Sequence, residues 1–398
     1  MPPFVLSSQN VFDYLISLNL CTQEEQLLSQ VDLKPAKNFN LLLSLPEERK
    51  LLIKQEPYNR EGKTVGEFVQ EWRVHKFLQE FPELGQIRPY ISEALHFDPE
   101  DSIIVFNYLS AYRDLADFYM KEDDFPSAIA MEVGTTLALI HRLTIDHQDY
   151  QEFFQNAESK DILNPQTPNL TQGLDRITPA VFGMVPSQGL KFFALYQRYD
   201  SLGKAIADLS SAFTACCLTH NDLKLNNILL SLNWKEALYE ASLPTDSIIR
   251  LIDWERAAWG DPANDLGTLV ASYLQIWLYS LVTSNTIEIE ESLRLATTPL
   301  HLLQPSITAL VTAYLAHFPE ILERRPDFLQ RVMQFCGLAL IRAIQAQLQH
   351  QKTFGNAGIC MLQVAKSLLC RPEASISTIF GMEASHLVPT NLSLLTNR

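Results

Sequence analysis

Between residues 216 and 267 the chain reads CCLTHNDLKLNNILL and then, after a spacer, IRLIDWERAAWGDPANDLG. Asp222 and Asn227 stand five positions apart in His220-Asn221-Asp222-Leu223-Lys224-Leu225-Asn226-Asn227, on a short loop that runs into an apolar stretch. Asp253 follows 26 positions after Asn227, at the end of a second short apolar run. Such a loop lets a carboxylate face an acceptor while a carboxamide oxygen reaches a metal ion. A carboxylate closing the second run can bridge that metal to phosphates. The chemistry served by this set is phosphoryl transfer to an alcohol. It needs one group to orient the hydroxyl and take its proton, and oxygen ligands that hold Mg²⁺ against a triphosphate.

The loop resembles the catalytic His-x-Asp-x-x-x-x-Asn of the kinase superfamily. Ile252-Asp253-Trp254-Glu255 resembles the metal-binding motif of aminoglycoside phosphotransferases, and Gly260-Asp261-Pro262-Ala263-Asn264-Asp265-Leu266 matches the Gly-Asp-Pro-x-x-Asp-Leu run that follows it there. His-Asn-Asp in place of His-Arg-Asp is similar to choline and ethanolamine kinases and speaks against a protein kinase. The resemblance implies an α+β, bilobal, protein-kinase-like fold, with a small β-rich N-terminal lobe carrying one main helix and a larger helical C-terminal lobe. It implies ATP and Mg²⁺ as cofactors and a small-molecule hydroxyl as acceptor: aminoglycoside-, choline- or sugar-like.

Within that family pattern Asp222 is the catalytic carboxylate, Asn227 and Asp253 are the metal ligands, and His220 packs and hydrogen-bonds beneath the loop. Lys224 either neutralises charge on the transferred phosphate or is an ordinary solvated lysine. Asp265 caps the following helix or braces the loop through backbone N–H groups. Lys54, closing the run Leu51-Leu52-Ile53, resembles the lysine that contacts the inner phosphates, with Glu71 its partner and Glu67 the alternative. The backbone of Asn107 to Leu109 is expected to hydrogen-bond adenine. The pattern is broken at LKPAKNFNLLLSL (33–45), which lacks the glycines that usually let backbone N–H groups approach phosphate. Asn38 and Lys37 are candidates to supply side-chain donors there, or simply a solvated turn.

The elements that must position these groups read as follows. Residues 8–30 are expected to be helical, 39–45 and 50–53 to form a hairpin turning at 46–49, and 64–81 to form an amphipathic helix. The run SIIVF (102–106) is a strand. Further on the pattern turns helical, with 128–143, 192–213, 265–281, 306–316 and 328–348 the stronger segments. Two short runs, 227–230 and 248–252, suggest a second hairpin carried by the helical part. Segment 150–190, rich in Asn, Gln, Pro and Thr, reads as a long loop or insertion, and the 231–247 connection is longer than a tight hairpin. The expected division is a nucleotide-binding lobe over 1–107, with an N-terminal helical extension, and a helical lobe with the catalytic loop and acceptor site over 108–398.

Forty-six acidic against 31 basic side chains give a net charge of −15, which repels nucleic acid and mildly favours a cationic ligand. With 47% hydrophobic and 19% charged residues the chain has the means to bury a core. The six cysteines form no Cys-x-x-Cys site and are expected as buried free thiols. The start of the chain lacks the pattern of a secretory signal. The most apolar stretch, 269–282, is shorter than the roughly 20 residues of a membrane span. The expectation is a cytoplasmic protein with no membrane span; oligomeric state is not encoded in any of these features. The leading reading is a small-molecule kinase, the alternatives a catalytically weak nucleotide-binding pseudokinase or scaffold and, third, a kinase acting on protein.

Overall fold

The computed structural model describes residues 4–155, 170, 174, 187–239, 247–282 and 289–387. These fall into two compact units: Met1–Phe118 with Asn226–Ala258, and Tyr119–Leu225 with Trp259–Arg398. Most of the expected loop at 150–190, and part of the 231–247 connection, lie outside the described residues; the connection carries the helix Trp234–Tyr239.

The first unit is built on an antiparallel sheet of β1 (Gln30–Lys34), β2 (Phe39–Ser44), β3 (Lys50–Gln55), β4 (Ala94–Asp98) and β5 (Ile103–Asn107), in the order β1-β2-β3-β5-β4. Alternation sends Leu41, Leu43, Leu51, Ile53, Ile103 and Val105 to one face, where Val11, Phe12 and Leu15 of the helix Val11–Ser17 cover them. Leu52, Ile104 and Phe106 point the other way and meet Phe68 of the helix Glu67–Glu80. The expected helix at 8–30 is therefore interrupted. Thr22 and Glu25 form a capping box that starts a separate one-turn helix, Gln23–Leu27, and the chain then becomes strand β1. Both strands that the sequence pattern did not indicate, β1 and β4, lie at the edges of the sheet. β1 is mostly exposed and β4 carries a register shift between Ala94 and His96, so neither has a clean alternation to read.

The start of the helix Glu67–Glu80 is fixed by Glu56, one residue beyond β3. Its buried carboxylate accepts the Gly66 N–H at 2.7 Å and the Phe68 N–H at 2.6 Å, satisfying amide groups that a helix N-terminus leaves open. The expected second hairpin is present as Ile228–Ser231 paired with Ile249–Leu251, but a third strand, Tyr112–Asp114, joins it. This small sheet belongs to the first unit rather than the helical one, because its ladder continues through Tyr112–Asp114 and because Leu251 O accepts the Ser92 N–H at 3.3 Å.

Among the described residues the second unit is helical apart from a two-stranded pairing of Cys217–Thr219 with Ala258–Gly260. Ser127–Thr144 packs on Leu300–His317, Pro262–Tyr279 on Phe328–Gln351, and the latter on Asn356–Cys370. Close approach rests on small residues: a Cβ at Gly134 would stand 2.1 Å from Leu310 O, and one at Gly267 2.7 Å from Val332 O. The expected helix at 192–213 divides into Ser187–Gln197 and Asp200–Ser211, because Tyr199 turns out of helical geometry at φ −115°, ψ 82°. All six cysteines are free thiols, five of them buried. Among the described residues no single helix is long and apolar enough to cross a membrane.

Candidate functional site

In the first unit a cavity of about 220 Å³ opens against the face of the sheet that bears Lys54. Leu52, Phe106, Leu229 and Ile252 give it apolar walls; Asn107, Tyr108 and Leu109 line it together with Lys54 and Asp253. A slot with apolar walls, a stretch of strand-end backbone and a charged pair has the composition of a site for a flat, partly polar ligand with an anionic tail. Here the structure brings together Lys54, Asp253, Asn107 and Leu109, four of the residues singled out from sequence.

Lys54 sits one residue before the end of β3, its ammonium 2.5 Å from Asp253 Oδ1 and 5.3 Å from the centre of the Phe106 ring. Burial alone would lower its pKa, but the charges of Asp253 and Glu71 outweigh burial and raise it, so the lysine is cationic. Its hydrogen-bond partner is thus Asp253, not Glu71 as expected. Glu71 lies within electrostatic reach of Lys54 and accepts the backbone N–H of Trp254, while its Oε1 is buried without a partner. Burial drives its pKa up to about 8, with the nearby Asp253 and Glu255 adding to the rise and Lys54 opposing it. Glu67, the alternative partner, pairs with Lys37 instead, and Glu255 stands 3.8 Å from the same ammonium. Asn38 follows Lys37 with its Oδ1 buried and unpartnered.

Asn227 is buried, and its backbone carbonyl accepts the Ile252 N–H at 3.0 Å, which couples the start of one short strand to the residue before Asp253. Asp253 itself takes φ 61°, a left-handed conformation that non-glycine residues seldom adopt and that functional sites tend to hold. Among the described residues no cluster of three or more His, Cys, Asp and Glu side chains is arranged to hold a metal. A carboxylate plus a carboxamide is nonetheless a fitting donor set for Mg²⁺. That ion prefers hard oxygen ligands and commonly keeps water and substrate phosphates in its remaining positions.

The second unit contains the loop with Asp222. Asp222 carries 28% of its side-chain surface exposed and pairs with Lys224 at 3.0 Å. The backbone beneath it is held by Asp265, whose two oxygens accept the His220 N–H at 2.7 Å and the Asn221 N–H at 2.8 Å. Asn221, at φ 62°, is held further by Thr219 Oγ1 and Asn264 Nδ2, both 3.1 Å from its Oδ1. Of the two roles open for Asp265, it braces the loop; the helix Pro262–Tyr279 is capped by Asp261, which accepts the Ala263 N–H.

Several supporting residues carried no sequence signal, because their partners are remote in the chain. His141 reaches Asp265 Oδ2 at 3.4 Å and Tyr314 Oη at 2.9 Å, all three groups buried. Arg325 and Arg331 both bind the buried Asp261 carboxylate, at 3.0 and 3.1 Å.

The sequence model of the phosphotransferase enzyme family (APH) matches residues 70–281, more than half of the chain. A sequence search among curated proteins returns no match. Among solved structures, an ethanolamine kinase of Plasmodium vivax is similar at TM-score 0.53 and 13% identity, over 93% of this chain and 91% of that one. The choline kinase LicA of Streptococcus pneumoniae aligns at TM-score 0.45 and 14% identity, over 91% of this chain and 98% of its own. An ADP-bound aminoglycoside phosphotransferase, APH(2'')-Ib, aligns at TM-score 0.45 and 13% identity, over 92% and 99%. The ethanolamine kinase shares the fold, and the family match spans both Asn227, just before the strand Ile228–Ser231, and the loop that carries Asp222: the chain belongs to the phosphotransferase enzyme family.

Proposed function

We propose that this protein transfers the γ-phosphoryl group of ATP to a hydroxyl of a small molecule. The observation that carries this reading is a cavity in the first unit lined by Lys54, Asp253 and Asn107 to Leu109. Its apolar slot suits an adenine ring and its charged end a polyphosphate. Asn107 and Leu109 offer backbone groups to the adenine edge, and Lys54, with Glu71 beside it, contacts the inner phosphates. Asn227 and Asp253 are the ligands offered to Mg²⁺, which when bound neutralises phosphate charge. Asp222 orients the acceptor hydroxyl and takes its proton, and Lys224, which it holds at 3.0 Å, is poised to meet charge on the group in transfer.

For the acceptor, amine-bearing alcohols head the candidates. They accord with the net charge of −15 and with the substrate class named for the Plasmodium vivax kinase of similar fold. A metabolite screen for acceptor-dependent ADP release identifies the compound. Asp222→Ala is expected to leave ATP binding at the wild-type level and lower turnover about a hundredfold or more; turnover retained in that variant removes Asp222 from the role.

A second reading, a nucleotide-binding protein without turnover, is favoured by the glycine-free turn before β2. ATP binding without ADP formation across a broad panel of alcohols would select it over the first.

A further inference from the structure

The turn between β1 and β2, Pro35-Ala36-Lys37-Asn38, contains no glycine, and Pro35 has no N–H to donate. Backbone amides are therefore poorly placed to grip phosphate. The register of the sheet offers another means. Lys34 on β1 stands opposite Asn40 on β2, and Asn40 opposite Lys54 on β3. Directly opposed residues of an antiparallel pair share a face, so these three polar side chains form a row across three strands. It is the face from which Lys54 and Leu52 line the cavity.

Two further features point to a missing partner on this row. The carboxamide oxygens of Asn38 and Asn40 are both buried without a hydrogen bond, although each residue as a whole is half-buried. Unsatisfied buried polar atoms cost about 1–3 kcal/mol each and are uncommon in folded proteins, so a pair of them two positions apart calls for a ligand. Rotating either carboxamide exchanges its oxygen and its NH₂ at little steric cost, so each can meet a donor or an acceptor. Lys34 is exposed, and among the described residues no carboxylate pairs with it. Lys37, by contrast, is occupied by Glu67 and Glu255. β1 and β3 lie about 10 Å apart, two strand spacings, a gap that the long stems of Lys34 and Lys54 can close on a chain of phosphates.

We propose that Lys34 and Asn40, assisted by Asn38, bind the terminal phosphates of the nucleotide, replacing with side chains the backbone amides of a glycine-bearing turn. The inference rests on the ATP-dependent reading above, and it names the residues that let this chain dispense with glycine. Lys54 takes the inner phosphates and the Lys34–Asn40 end of the row the outer ones, so the row distinguishes ATP from AMP.

The test is calorimetric binding of ATP and AMP, each with Mg²⁺, to the full chain and to its Lys34→Gln and Asn40→Ala variants. Each variant is expected to bind ATP about tenfold more weakly, the size of one hydrogen bond to a charged group, with AMP affinity kept at the wild-type value. Lys34→Gln, at an exposed position, guards against a folding artefact, and its ATP affinity should also depend less steeply on salt. Unchanged ATP affinity in both variants, or equal losses for ATP and AMP, overturns the proposal while leaving the phosphotransferase reading in place. A wild-type chain that binds no ATP sinks both.

Discussion

Glu71 is a carboxyl group held out of water with one oxygen unpartnered, and its behaviour with pH follows from that. Its folded pKa, raised by burial to about 8, lies above the model-peptide value of 4.5. Between those two values the folded chain binds a proton that the unfolded chain has released, so stability falls as pH rises through this window. Glu71→Gln mimics the protonated form and should flatten the decline. Melting temperatures of both proteins from pH 5 to 9 check this, and an equal slope in the variant removes Glu71 as the cause. At this scale Asp222, Asn227 and Asp253 stand out in the sequence as candidates because of their spacing around two short apolar runs, and of the three the cavity is lined by Asp253. The partner of Lys54 could not be read from the sequence: Glu71 and Asp253 both lie within its electrostatic reach, and only three-dimensional packing decides which one takes the hydrogen bond. His141 and Tyr314 were equally illegible, since a histidine or tyrosine inside an apolar helix face reads as ordinary core until its distant partner is known.

Helix contact in the second unit depends on the absence of side-chain atoms at particular points. Gly134 lets the backbone of Ser127–Thr144 approach that of Leu300–His317, where the obstructing atom is a carbonyl oxygen that cannot rotate away. Gly134→Ala is expected to destabilise the fold by about 1–3 kcal/mol, as overpacking generally does. Gly85→Ala, with nothing within 4 Å of the new methyl group, is the matched control and should stay near wild type. Urea unfolding of the two variants measures the difference; equal midpoints would mean that the helices shift apart freely. The same elements explain what periodicity could and could not reveal. Long helices such as Phe328–Gln351 bury one continuous stripe and so announce themselves, and β2, β3 and β5 are dense in branched and aromatic residues. β1 and β4 are edge strands with one face half in water, and the break at Tyr199 between two helices has no Gly or Pro to mark it.

Taken as a whole, the chain places its N-terminal helix as a cover for the sheet. Val11 and Leu15 are fully buried against Leu43, Ile53 and Val105, so a chain beginning at residue 30 would expose a wide aliphatic face on five strands. Such a face drives association. The shortened protein is expected to appear as oligomers or aggregate by light scattering, and a monodisperse product of the same size class as the full chain would contradict the role given to this helix. Glu56 has a consequence on this scale too. Its carboxylate ties the first turn of Glu67–Glu80 to the end of β3, two residues beyond Lys54, through two buried hydrogen bonds. Swinging that helix outward would leave the buried Glu56 carboxyl group without these two hydrogen bonds, so Glu71 on the helix stays in place relative to Lys54 on the strand. A joint tied in this way holds the helix of Glu71 to the strand of Lys54 through the chain's own hydrogen bonds, with no ligand needed to set it.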